Sequence, residues 1–209
     1  MNQIKQMAAA VLTFAGLTSM SGFAQDRTPT PSGYVTHSVI EGNALSNVHG
    51  RTAVNMAAGD SNAQINAGAL AINLEGGTAT AQVNLLQTVG SIRATAPDLS
   101  VAIIGGRAFA NSSGAISVNQ ASGVGNTQAN GMAIAVGIDL VVVSESLLAA
   151  TATGVTLVGP ARSTNSKAAL ISDTAFQGSS GLVQVNQSAG SGNSTANNFA
   201  LQLQLGTKP

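Results

Sequence analysis

The sequence predicts an all-β chain whose strand-turn-strand repeats stack on one another, as β-arcs or a β-solenoid, and continue as cross-β on assembly. Three observations carry this expectation. One motif recurs three times at matching spacing, apolar and polar residues alternate on both sides of a Gly/Asn turn, and the repeats are nearly free of charge. Repetition of this kind marks stacked architectures, and alternation marks strands.

The composition narrows the choice. The 209 residues carry eight basic and eight acidic side chains, two His and no Cys. Charged residues are 8% and aromatics 3%, whereas an ordinary soluble domain is about 25% charged. The apolar share is mostly Ala with Val, Ile and Leu, which buries little area per residue. Zero net charge with a mean hydropathy of +0.26 is not the signature of a disordered tail. The basic surplus of a nucleic-acid binder is missing. Without Cys, disulfide frameworks and Cys-ligated zinc are excluded.

The N-terminus reads as a signal peptide over residues 1–24. Lys5 precedes the apolar run Met7 to Gly16, and Gly22-Phe23-Ala24 supplies small residues before a cleavage point near Gln25. That order is secretory. A bilayer-spanning helix needs about 20 apolar residues, more than the run offers. An uncleaved anchor or an ordinary helix are the alternatives. No stable membrane insertion is expected elsewhere. Residues 25–38, with Pro29 and Pro31, read as an N-terminal linker. A Cys-free chain suits export without oxidative folding.

The remainder divides into repeat 1 (39–72), spacer 1 (73–102), repeat 2 (103–136), spacer 2 (137–170), and repeat 3 with a C-terminal tail (171–209). Aligned on Asn55, Asn119 and Asn186, the copies share Val54, Val118 and Val185; Asn62, Asn126 and Asn193; Asn66, Asn130 and Asn197; and Ala69, Ala133 and Ala200. Gly50, Gly114 and Gly181 precede, as do Ala44-Leu45, Ala108-Phe109 and Ala175-Phe176. The copies lie 64 and 67 residues apart.

Each copy reads as strand, turn, strand. Val54 and Met56 alternate with Asn55, and Ile116 with Val118 and Val183 with Val185 repeat the pattern. The turns begin at Gly59, Gly123 and Gly190 and end at the Asn of each copy; Gly and Asn tolerate the positive φ such turns demand. Second strands follow from Gln64, Gln128 and Thr195.

Units stacked about 4.8 Å apart place equal residues over one another, so Asn side chains can bond amide to amide along the stack. Asn55, Asn62, Asn66, Asn119, Asn126, Asn130, Asn186, Asn193 and Asn197 are thereby the expected assembly core, with Gln120 and Gln187 as a partial second ladder. A charge there would face its own copy. Arg51 and Asp60 occur in copy one only. The alternative is that each Asn is a turn or cap residue. That accounts for Asn62, Asn126 and Asn193 but poorly for three offsets recurring together. The spacers contain β-prone runs (78–85, 99–104, 138–143, 154–158) that read either as further rungs or as disordered loops.

Chemistry is sparse. His37 and His49 have no carboxylate cluster beside them, and a metal centre needs more ligands. Nucleophile-elbow, zinc-protease and phosphate-loop motifs are missing. Asp173-Thr174-Ala175 has neither the Gly nor the second copy of an aspartic-protease triplet. No catalytic residue, cofactor or metal is expected.

The stretch from Val54-Asn55-Met56 through Asn66-Ala67 resembles the repeat unit of the Fap-type functional amyloids, biofilm fibre proteins of certain Gram-negative bacteria. Val118-Asn119-Gln120 through Asn130 and Val185-Asn186-Gln187 through Asn197 resemble the same unit more loosely. Signal peptide, three repeats and two spacers also match the family layout. The resemblance implies export by way of the periplasm through an outer-membrane pore, a periplasmic chaperone, and extracellular assembly into fibrils with itself and homologous repeat proteins. The nine repeat Asn would then line the fibre core. Members of that system can carry a Cys-x-x-Cys pair near the C-terminus, and this chain has no Cys, which leaves its role among main subunit, nucleator and minor component open. Curli subunits are a more distant analogue. The expected function is thus a secreted structural amyloid, not an enzyme. A monomeric β-solenoid adhesin or surface-binding module is the alternative.

Overall fold

A computed structural model describes residues 33–75, 78–89, 92–138, 141–152, 155–157 and 165–206. The signal-peptide reading therefore lies outside the described residues, as does most of the linker. The described chain is all strand and turn. The first rung contains β1 (Val35–Ile40), β2 (His49–Ala58), β3 (Ala63–Asn73), β4 (Ala79–Val89) and β5 (Ile92–Ala94). The second contains β6 (Leu99–Ile104), β7 (Ser113–Ser122), β8 (Thr127–Gly137), β9 (Val141–Ala152) and β10 (Val155–Leu157). The third contains β11 (Ser166–Ile171), β12 (Ser180–Ala189) and β13 (Ser194–Gln204).

Strands pair with their counterparts in neighbouring rungs, always parallel, giving the sheets β1-β6-β11, β2-β7-β12, β3-β8-β13, β4-β9 and β5-β10. The second rung is central, and no sheet closes into a barrel. Parallel strands need long crossovers, and here the rest of each rung supplies them. Residues 35–38, placed in the linker by composition, belong to β1. The spacers also pair, β4 with β9 and β5 with β10, so the repeating unit is the whole rung. Connections of unequal length between the spacer strands, with a register shift between Asn84 and Leu86, account for the difference between the 64- and 67-residue periods.

The sheets lie in layers. One face of β7 meets the β1-β6-β11 sheet, where Ile40, Ile104, Ala108, Phe109, Ile116 and Val118 form an apolar cluster joined by Leu45, Val54, Met56, Phe176 and Val185. The other face meets the β3-β8-β13 sheet across polar side chains. That third sheet turns small residues (Ala69, Ala71, Ala133, Ala135) toward Ala79, Ala81 and Val83 of the fourth layer. There β4 packs against β3 and β8, while β9 packs against β8 and β13. Alanine at these positions lets the layers approach closely, which is what an Ala-rich, aromatic-poor sequence can build.

A candidate assembly core of amide ladders

Register brings the repeat asparagines into columns. Asn55, Asn119 and Asn186 are Cα partners across β2, β7 and β12. Asn66, Asn130 and Asn197 are partners across β3, β8 and β13. In the first column Asn119 Nδ2 donates to Asn55 Oδ1 at 3.0 Å, and Asn186 Nδ2 to Asn119 Oδ1 at 3.0 Å. In the second, Asn130 Nδ2 donates to Asn66 Oδ1 at 2.9 Å and Asn197 Nδ2 to Asn130 Oδ1 at 3.0 Å.

The two columns face each other across the arc and are cross-linked. Within a rung, Asn66 donates to Asn55, Asn130 to Asn119 and Asn197 to Asn186, at 2.8–2.9 Å. Between rungs, Asn119 Nδ2 also approaches Asn66 Oδ1 and Asn186 Nδ2 approaches Asn130 Oδ1, both at 3.1 Å. Carbonyls of Val54, Ile65, Val118, Ala129 and Val185 accept from the same amides. Asn119 and Asn130 are fully buried yet have donor and acceptor atoms engaged, as burial of an amide requires.

The third column runs through the turns. Asn126 Nδ2 donates to Asn62 Oδ1 at 2.8 Å, and Asn193 Nδ2 to Asn126 Oδ1 at 2.7 Å. The backbone N–H of Asn126 and of Asn193 reaches the same oxygens. Thus the turn role and the ladder role, which sequence posed as alternatives for these residues, are filled by one side chain. The first turn glycines have φ of 98°, 129° and 108° at Gly59, Gly123 and Gly190. They are also a column: a Cβ on Gly123 would collide with the carbonyl of Gly190, and one on Gly59 with that of Gly123. Two positions later Gly125 and Gly192 have φ of 67° and 71°, while Ser61 in copy one holds 56°.

Gln120 and Gln187, expected from the sequence as a partial second ladder, bond to each other, and further columns appear that repeat identity alone did not reveal. Gln187 Nε2 donates to Gln120 Oε1 at 2.8 Å, and Gln64 Nε2 donates to Gln128 Oε1 at 2.7 Å. The latter pair shares one offset in copies one and two, but copy three has Thr195 there, which hid it. Ser117 Oγ receives Arg51 Nη1 at 2.9 Å and donates to Gln184 Oε1 at 3.1 Å. The Phe109 and Phe176 rings stack 4.8 Å apart with planes 1° from parallel. His37 and His49 lie on β1 and β2; His49 Nδ1 is 2.7 Å from Ser113 Oγ. Among the described residues no group of three metal-ligating side chains assembles.

A family model matches residues 20–204, that of the functional amyloid protein FapB/FapC family. The chain belongs to the FapB/FapC family. The match covers all three rungs and both spacers, so membership rests on the whole layout and not on one repeat. The family is one of structural amyloid proteins. No solved structure matches the chain. Seen as a FapB/FapC chain, the molecule brings all nine repeat asparagines into three columns, and copy two, flanked on both sides, shows what each rung becomes when covered: Asn119, Gln120, Asn126, Gln128 and Asn130 are completely buried there.

Proposed function

We propose that this chain is a fibre-forming component of an extracellular biofilm matrix. It folds as a short β-solenoid whose end rungs template further copies into a cross-β fibril, with the nine repeat asparagines and the Gly59, Gly123 and Gly190 turns as the assembly core. Export through an outer-membrane pore, escorted by a periplasmic chaperone, would deliver it. One observation carries the reading. The amide ladders run in register through three rungs and stop at two open ends, where β1, β2, β3 and β11, β12, β13 are the outer strands of their sheets. Edge strands ordinarily carry charge, Pro or a covering element against further pairing. Such protection is sparse here, which favours assembly over the monomeric adhesin.

The test is whether purified chain forms thioflavin-positive fibres with reflections at about 4.8 Å. A chain that stays monomeric for days refutes the proposal. Replacing Asn119 and Asn126 together by Asp should slow fibre formation strongly, because each carboxylate would bury a charge in the middle rung and cannot donate to Asn55 or Asn62 Oδ1. Unchanged kinetics would remove the ladder from the mechanism.

A further inference from the structure

The two ends of the stack differ in charge at one corner. That corner lies where the β2–β3 arc turns beside β1. In the first rung Asp60 is exposed there and accepts a hydrogen bond from Tyr34 Oη at 3.0 Å. In the third rung Lys167 is exposed there. Its Cδ, Cε and Nζ lie 2.8, 2.8 and 3.0 Å from where a Gly190 Cβ would sit. The corner is the same in both rungs. Thr36, partner of Ser100 and through it of Lys167, has its Cγ2 3.0 Å from a Cβ built on Gly59. Asp60 in turn corresponds to Val124 and Ser191, since Gly125 N donates to Asp60 O and Gly192 N to Val124 O.

The middle rung carries Ser100 and Val124 at this corner, uncharged and buried at 1% and 0% exposure. Negative charge thus stands at the first-rung end of this corner and positive charge at the third-rung end, in adjacent columns; the nearest carboxylate of the middle rung, Asp98, accepts from Tyr34 N at 2.9 Å. Among the described residues, neither Asp60 nor Lys167 has an ion-pair partner within the molecule.

We propose, on the reading of the chain as a fibre subunit, that a second copy docks its first rung on the third rung of the copy before, and that Lys167 of one and Asp60 of the next form the ion pair at that junction. The operation relating the rungs is a translation along the stack, and only its continuation keeps strands parallel and asparagine over asparagine. It carries the Asp60 end onto the Lys167 end. The asparagine ladders share one sense, although the Gln64–Gln128 pair runs the other way. Amides of later copies donate to oxygens of earlier ones in all three asparagine columns, so the third rung ends on carbonyl oxygens and the first begins with amide groups. One opposing term exists. Asp173 falls one column from Glu41 of the next copy, but both sit on exposed turns, where side chains can diverge into water.

The experiment measures seeded elongation of Lys167→Glu, Asp60→Lys, the double swap Asp60→Lys/Lys167→Glu, and Asp60→Asn. Each charge reversal should slow elongation about fivefold at low salt. The deficit should shrink at about 0.5 M salt, where exposed pairs are screened. The double swap should recover the parental rate, since it restores opposite charges only for first-on-third docking. Asp60→Asn, which removes attraction without adding repulsion, should fall between. Single variants that elongate like the parent, or a double swap as slow as the slower single, overturn the ion pair. Should Asp60→Lys fail to fold after losing Tyr34, Lys167→Glu and its salt dependence decide alone. Failure of the unaltered chain to form fibres would instead strike the functional reading.

Discussion

At the scale of single residues, the amides of this protein do what apolar side chains do elsewhere. A buried amide without a partner costs about 1–3 kcal/mol, and a stack of identical rungs supplies the partner automatically. Asparagine is short enough that its Oδ1 and Nδ2 reach both the rung above and the column opposite. Aspartate has the same shape and none of the donors. Ionisable groups are held at the margins. Tyr34, the chain's one tyrosine, has its phenol raised above the ordinary value, first by burial and then by the hydrogen bond and negative charge of Asp60. A raised phenol favours the protonated folded state. Its contribution is therefore complete below about pH 10, the unperturbed tyrosine value, and is lost as pH climbs through the raised one. Ultraviolet titration of the phenolate should show ionisation above the free-tyrosine midpoint, and Asp60→Asn should lower that midpoint. A titration unmoved by Asp60→Asn would mean that the carboxylate does not act on the phenol.

At the scale of elements, the turn from β1 to β2 is as much a ladder as the strands. Leu45, Phe109 and Phe176 hold φ of 55°, 60° and 59°, a conformation that costs a side-chain-bearing residue roughly 1–2 kcal/mol. Stacking offsets the strain: Phe109 N donates to Ala44 O and Phe176 N to Ala108 O at 2.8–2.9 Å, and the rings lie face to face. Phe109→Ala should cost about 3–5 kcal/mol, as for other fully buried aromatics. Phe176→Ala, at the open end of the column, should cost less. Denaturant midpoints of the two variants check the order; equal losses would show that the ring column does not extend from rung to rung.

These turns also mark how far the sequence was legible. The three Asn offsets and the turn glycines were readable because identity at a fixed period maps directly onto register. A bulky residue does not announce a positive φ, so the sequence shows the aromatic column as a recurrence without its geometry. Gln64 and Gln128 were hidden by Thr195. The pairing of β4 with β9 was legible only as one of two readings, further rungs or loops, because the spacers share no motif from which a register could be read. The strand Val35–Ile40 was half lost to a composition that looked like linker.

At the scale of the whole molecule, the three rungs are chemically unequal although their backbones repeat. The middle rung is an interior, with its amides dry and its corner uncharged. The outer rungs are half-finished copies of it, with Asn55 and Asn198 exposed and Asn62, Asn66, Asn193 and Asn197 only partly covered. Adding a molecule at an end would convert an outer rung into a middle one. That gain is the same at every addition, which is the condition for a uniform filament.

Among the described residues the fourth layer has two strands, β4 and β9, where each of the first three layers has three. Matter along an assembled fibre would therefore be distributed unevenly, with one thin level per molecule. Oriented samples should diffract not only at the strand spacing but weakly at three times it, about 14 Å along the fibre axis. That reflection would count molecules rather than strands, and its absence would mean that neighbouring chains fill each other's thin level.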